Sequence, residues 1–185
     1  MSITLSYEGD IAVATIDNPP VNATSQAVRQ ALLDALASTE TNPDVRAVVL
    51  CCAGSTFVAG ADIREVGKPP QEPHLPDVYR QIESATKPWV AAIHGSALGG
   101  GLELAMACHY RVAAQDARLG LPEVTLGVIP GAGGTARLPR LVGLETALNM
   151  ITGGKPMRAQ AALAAGLVHA IEDDPVEAAY MVNTE

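Results

Sequence analysis

The chain has 185 residues, 48% of them apolar and only 3% aromatic, with a net charge of −8. This length supports one hydrophobic core, and a charged content of 17% excludes a long disordered or coiled-coil chain. Twelve basic against twenty acidic side chains leave no basic footprint for nucleic acid.

With one Phe, one Trp and four Tyr, the core must be built from Ala, Val, Leu and Ile. The three cysteines, Cys51, Cys52 and Cys108, are odd in number and two are adjacent, which argues against a disulfide scaffold and for a reducing, cytoplasmic setting. No CxxC or HExxH spacing points to a metal. The first residues lack a basic start followed by an apolar run, so no secretory leader is expected. No apolar run reaches membrane-spanning length, so no membrane partner is expected either.

In chain order, residues 3–7 and 11–16 read as strands joined by a Gly9-Asp10 hairpin turn. Ser25 caps a helix to about residue 39, with Val28, Leu32, Leu33 and Leu36 on one face. Asn42-Pro43 ends it, and residues 46–52 form a buried strand, which completes a parallel βαβ unit. Residues 67–76 carry four prolines and read as a mobile surface loop. A helix over 77–86, a strand over 89–94, a small-residue loop over 95–101 and a buried helix over 102–108 follow. Short strands at 111–114 and 117–121 precede a Gly/Pro-rich loop over 127–134. Helices are expected at 135–142, 144–152 and 158–165, then a strand over 167–171 and a helix opened by Pro175.

Two acids stand out. Glu103 lies among apolar residues directly after Gly99-Gly100-Gly101. A buried carboxylate there would be costly and shifted in pKa, although a helix-start acid favoured by the macrodipole is an equal reading. Glu123 sits between Leu121-Pro122 and Val124. Taken alone it reads as a solvated loop acid, and together the two make a general acid/base pair conceivable. The glycine run can expose helix-start N–H groups to an oxyanion. Gly60-Ala61-Asp62-Ile63 follows a buried parallel strand, where open α/β sheets bind ligands. Tight-turn packing is the plain alternative for both loops.

Gly131-Ala-Gly133-Gly-Thr-Ala136 matches a dinucleotide fingerprint, but Pro130 precedes it and no acid follows about 20 residues on. NAD binding is therefore rejected. His94, His109 and Cys108 read as structural.

Six segments, in order, resemble the crotonase (enoyl-CoA hydratase/isomerase) superfamily. They are Asn18-Pro-Pro-Val-Asn-Ala23, Phe57-Val-Ala-Gly-Ala-Asp-Ile63, Lys87-Pro-Trp-Val-Ala-Ala-Ile-His-Gly95, Leu98-Gly-Gly-Gly-Leu-Glu-Leu-Ala105, Leu121-Pro-Glu-Val-Thr-Leu-Gly127 and Pro130-Gly-Ala-Gly-Gly-Thr-Ala-Arg-Leu-Pro139. Cys108-His-Tyr-Arg111 and Asp174-Pro-Val-Glu-Ala178 look most like the N-terminal domain of multifunctional hydratase/3-hydroxyacyl-CoA dehydrogenases.

The resemblance implies an α/β, ClpP/crotonase-like fold of repeated ββα turns. It implies one hydratase/isomerase core over residues 1–185, without the C-terminal helices with which family members complete the acyl pocket and trimer contacts. It further implies an enoyl-CoA hydratase, with the Δ3,Δ2-enoyl-CoA isomerase and an acyl-CoA-binding module without turnover as alternatives. Glu103 and Glu123 would be catalytic, the N–H groups of Ala61 and Gly100 would form the oxyanion hole, and Ala59, Gly60, Asp62 and Ile63 would line the CoA path. No cofactor beyond the substrate's own coenzyme A is implied, and a homotrimer or dimer of trimers is expected where the C-terminal part is present.

Overall fold

The computed structural model describes residues 2–65 and 67–182, with only the backbone at Ile63. Strands β1 (Ile3–Glu8) and β2 (Ile11–Ile16) pair antiparallel across the Gly9 turn. Helix α1 (Gln26–Thr41) starts at Ser25, whose hydroxyl accepts from the Val28 N–H, and ends at Asn42. It returns the chain to β3 (Ala47–Cys52), parallel to β2 and buried along its whole length. The expected βαβ unit is therefore present.

Helix α2 (Leu75–Glu83) starts two residues earlier than the sequence indicates, because Pro76 fits a helix's first turn. Strand β4 (Trp89–Ile93) pairs parallel with β3. The segment read as a loop over 95–101 contains a strand, β5 (Ser96–Leu98), before α3 (Gly100–Ala107). Three residues are too few for alternation to be visible in sequence. Strands β6 (Tyr110–Ala113) and β7 (Arg118–Gly120) then pair parallel with β4 and β5 respectively.

After a 3-10 turn (Glu123–Leu126) come α4 (Gly134–Val142), α5 (Leu144–Gly153), β8 (Met157–Arg158) and α6 (Ala159–Ala164). The strand expected over 167–171 is reduced to β9 (Ala170–Ile171), since Leu167 and Val168 are buried as part of the main core instead. Helix α7 (Pro175–Tyr180) is capped by Asp174, which accepts from the Val176 and Glu177 N–H groups.

The strands form two sheets, ordered β1-β2-β3-β4-β6-β9 and β5-β7-β8. Val58 bridges in parallel to Ala97, at the edge of the second sheet. β4 is followed by β5 and α3, and β6 by β7 and helices, so the chain passes from the long sheet to the short one and returns through helices in a repeated ββα architecture. Trp89, Tyr79, Phe57 and leucines such as Leu102 and Leu104 fill the core between the sheets and helices. The entry to α3 lies where the two sheets meet.

Candidate active site

The glycine run is forced by backbone contact. Leu98 N donates to Val58 O at 3.0 Å and Gly99 N to Gly120 O at 2.9 Å, locking the entry of α3 against two neighbouring segments. A Cβ at Gly101 would run into the carbonyl of Val58. One at Gly100 would stand 3.4 Å from the Ala61 nitrogen, so the backbones at these two positions are immediate neighbours. Gly100 opens α3, so its N–H has no acceptor within the helix. Thr24 N donates to Gly60 O at 3.0 Å and holds the Gly60–Ala61 segment in place. Tyr79, wholly buried on α2, donates its hydroxyl proton to Gly100 O at 2.8 Å.

Glu103 sits on the first turn of α3 with 2% exposure. Its Oε1 accepts from Ala132 N at 2.8 Å and from Gly134 N at 2.7 Å. Burial pushes its carboxyl up; the two backbone donors and the Arg137 guanidinium pull the other way without overcoming burial.

Glu123 opens the 3-10 turn after Pro122 and lies against Gly99, where a Cβ would stand 3.1 Å from Oε1. Gly99 has φ +54° and ψ −126°, a conformation that also favours glycine. The Oε2 of Glu123 is buried without a hydrogen-bond partner among the described residues. Burial raises this carboxyl and the nearby charge of Glu103 raises it further, opposed by a backbone hydrogen bond. Sequence spacing could not establish that the acids converge; their electrostatic coupling and their shared contact with the start of α3 do.

The segment expected to line a CoA path borders a cavity of about 310 Å³ that includes Ala59, Ala61 and Asp62, with Pro20 opposite. Gly60 has φ +122° and packs near Leu98 O. The Asp62 carboxylate is engaged by Arg64 at 2.7–3.1 Å, which holds its pKa down and leaves the exposed Arg64 as the cation at the rim. The Ile63 side chain lies outside the described residues.

The backbones of Ala61 and Gly100 thus lie side by side, and the two carboxyls of raised proton affinity gather at the start of α3. A sequence model described as Enoyl-CoA hydratase/isomerase matches residues 6–180. The chain belongs to the enoyl-CoA hydratase/isomerase family. It is 52% identical over 163 residues to the peroxisomal bifunctional enzyme of Danio rerio, covering 88% of this chain and 23% of that protein. It is 47% identical over 183 residues to a probable enoyl-CoA hydratase of Bacillus subtilis (strain 168), covering 95% of this chain and 71% of that protein. The crystal structure of an enoyl-CoA hydratase from Bacillus anthracis superposes with a TM-score of 0.89 at 36% identity, over 98% of this chain and 73% of that one. The crotonase fold follows, and the chain spans under a quarter of the Danio relative's length.

Several residues that hold these segments together carry no role in the sequence reading. Ala132 and Gly134 belong to the rejected dinucleotide match, whose glycines let backbone N–H groups reach Glu103. Arg29, buried on α1, donates to Thr24 O, Glu65 Oε2, Gln71 O and Pro73 O, and so anchors the proline-rich stretch. Its place on an otherwise apolar helix face was the available signal. His109 accepts from Trp89 N through Nδ1, consistent with a structural role, and burial pushes the Cys108 thiol up to about 12. Among the described residues, no helix is long and apolar enough to cross a membrane.

Proposed function

We propose that this chain acts as an enoyl-CoA hydratase, a hydro-lyase that adds water across the C2=C3 bond of 2-enoyl-CoA thioesters in fatty-acid β-oxidation. The observation that carries this reading is the pairing of two glutamates of raised proton affinity, held differently, next to Ala61 and Gly100. The name of the Bacillus subtilis relative, a probable enoyl-CoA hydratase, supports the same chemistry.

The thioester carbonyl oxygen accepts from the N–H groups of Ala61 and Gly100. As hydroxide character adds at C3, the π electrons move onto that oxygen, and preorganised donors stabilise the resulting enolate. Each such donor is worth about 2.7–4 kcal/mol of barrier in comparable sites. Glu103, with Oε1 pinned by two N–H groups and its proton affinity raised by burial, accepts a proton from the attacking water. Glu123, whose carboxyl is raised by burial and by the nearby charge of Glu103, delivers a proton to C2. One hydroxyl and one proton are thereby added, with no cofactor beyond the substrate's coenzyme A. Ala59, Gly60, Asp62 and Ile63 line the path of the CoA moiety in this reading.

The domain is proposed as a single hydratase/isomerase core, and the buried thiols Cys51, Cys52 and Cys108 suit a reducing, cytoplasmic setting. Exposed Leu126, Val128, Ile129, Leu144 and Leu148 offer apolar surface for a homotrimer or dimer of trimers where the C-terminal part is present.

Addition of crotonyl-CoA to the folded protein is expected to bleach the ultraviolet absorbance of the conjugated enoyl thioester. No decay, with CoA-thioester binding intact by calorimetry, would instead mark a binding module. The free oxygen of Glu123 also suits a proton shuttle between C2 and C4, as in a Δ3,Δ2-enoyl-CoA isomerase. A Glu103→Gln variant that isomerises a 3-enoyl-CoA but no longer hydrates would show one site serving both reactions.

A further inference from the structure

Arg137, on α4, is held at 10% side-chain exposure between two partners. Its Nε and one terminal nitrogen donate to the two carboxylate oxygens of Glu83 on α2, at 3.1 and 2.8 Å. The other terminal nitrogen donates to Ala132 O at 2.9 Å. Ala132 is the residue whose N–H, on its other side, donates to Glu103 Oε1. Gly133 has φ +104°, and a Cβ there would collide with the guanidinium, so the loop and Arg137 are built for each other. The Arg137 N–H also returns to Gly133 O at 2.9 Å, closing the first turn of α4.

We propose that Arg137 is a positioning residue for Glu103, a guanidinium strut that ties α2 to the Ala132–Gly134 backbone and so fixes the carboxylate that accepts the proton from water. The proposal rests on the reading of Glu103 as that base. Only a planar fork can grip a carboxylate with two nitrogens and a carbonyl with the third; an ammonium cannot span both. A pair on an open surface would contribute little, but Arg137 is largely shielded from water and its third arm reaches the backbone of the cradle.

The charged and titratable groups around the two residues set the expected signs. Glu103 faces Arg137 from α4, Glu123 from the turn after β7 and Tyr79 from α2. Arg137 faces Glu83, on which Arg140 and His109 also act, and a cavity of about 240 Å³ beside Arg80. Of these, Arg137 is the cation that acts on Glu103 and favours its ionised form.

The test uses the full chain with 13C-labelled glutamate, following the Glu103 carboxyl by NMR as pH is varied, beside hydration kinetics. In Arg137→Gln the Glu103 titration is expected to move upward, as loss of a nearby cation requires. Turnover is expected to fall about tenfold to a hundredfold, the cost of a slightly misplaced base, with KM changed less than twofold. The acidic limb of the pH–kcat profile should move upward with the NMR titration. Arg137→Lys keeps the charge but loses the fork, so turnover falls while the titration stays near that of the parent.

Should Arg137→Gln not fold, Glu83→Gln removes only the outer anchor, and turnover should still fall several-fold at unchanged KM. An unmoved Glu103 titration in folded Arg137→Gln overturns the proposal, as does full turnover in folded Glu83→Gln. A parent protein without hydration, but with an Arg137-dependent Glu103 titration, sinks the hydratase reading and leaves the strut standing.

Discussion

The two glutamates meet at the start of one helix but are held in opposite ways. Glu103 is almost wholly buried, and its Oε1 has two backbone donors. Glu123 is half-buried with a buried oxygen that no described residue contacts by hydrogen bond. Burial raises both carboxyls; at Glu103 two backbone donors and Arg137 oppose that rise, whereas at Glu123 the charge of Glu103 adds to it. In the proposed mechanism two residues of the same type take different tasks from these surroundings, Glu103 as the fixed base and Glu123 as the acid.

The sharpest way to break this contrast is to neutralise each in turn. Glu103→Gln and Glu123→Gln are each expected to cut hydration by about 10²–10⁴-fold, the usual worth of positioned acid/base groups. Equal hydration by either variant and the parent, measured at saturating substrate, would refute a paired mechanism.

A smaller effect comes from filling the two cradles. In Gly134→Ala the added Cβ meets Glu103 Oε1 at 2.9 Å, and in Gly99→Ala it meets Glu123 Oε1 at 3.1 Å on a backbone of φ +54°. Each should lower turnover about tenfold to a hundredfold by displacing one acid. A crystal structure of each variant should show only its own glutamate moved. By contrast, Gly101→Ala presses on the Val58 carbonyl, a backbone atom and not either acid, and should destabilise by about 1–3 kcal/mol in denaturant melts.

The smallest expected effect is a pH dependence of stability. Because the Glu123 carboxyl is raised in the folded state, the native protein holds that proton at higher pH than the unfolded chain. Its stabilising share is fully present below the unfolded pKa and is lost as pH rises through the folded one. Glu123→Gln removes this loss, so its Tm advantage over the parent should grow from acidic to neutral pH. An advantage that shrinks over that interval would mean the carboxylate is favoured by folding after all.

Much of this architecture is legible locally. Ser25 and Asn42 bound α1 because a hydroxyl cap and a following proline act within a few residues. β3 reads as buried because its apolar run is unbroken. β5 was hidden because three residues carry no period, and its identity depends on pairing with β7. The Pro-rich stretch read as mobile because nothing nearby in sequence reveals that Arg29, more than forty positions earlier, binds its carbonyls.

By itself the sequence determined the order of strands and helices, the glycine-rich entries and the family motifs, all of which rest on neighbouring residues. Only the tertiary structure decided what those entries hold. The dinucleotide-like run supplies N–H groups to Glu103 from 29 and 31 positions away. Gly99 makes room for Glu123, and Arg137 joins the cradle to α2. Whether a carboxyl is a base or an acid depends on donors, burial and charge gathered from distant segments, and these come together only when the two sheets and the helices between them pack.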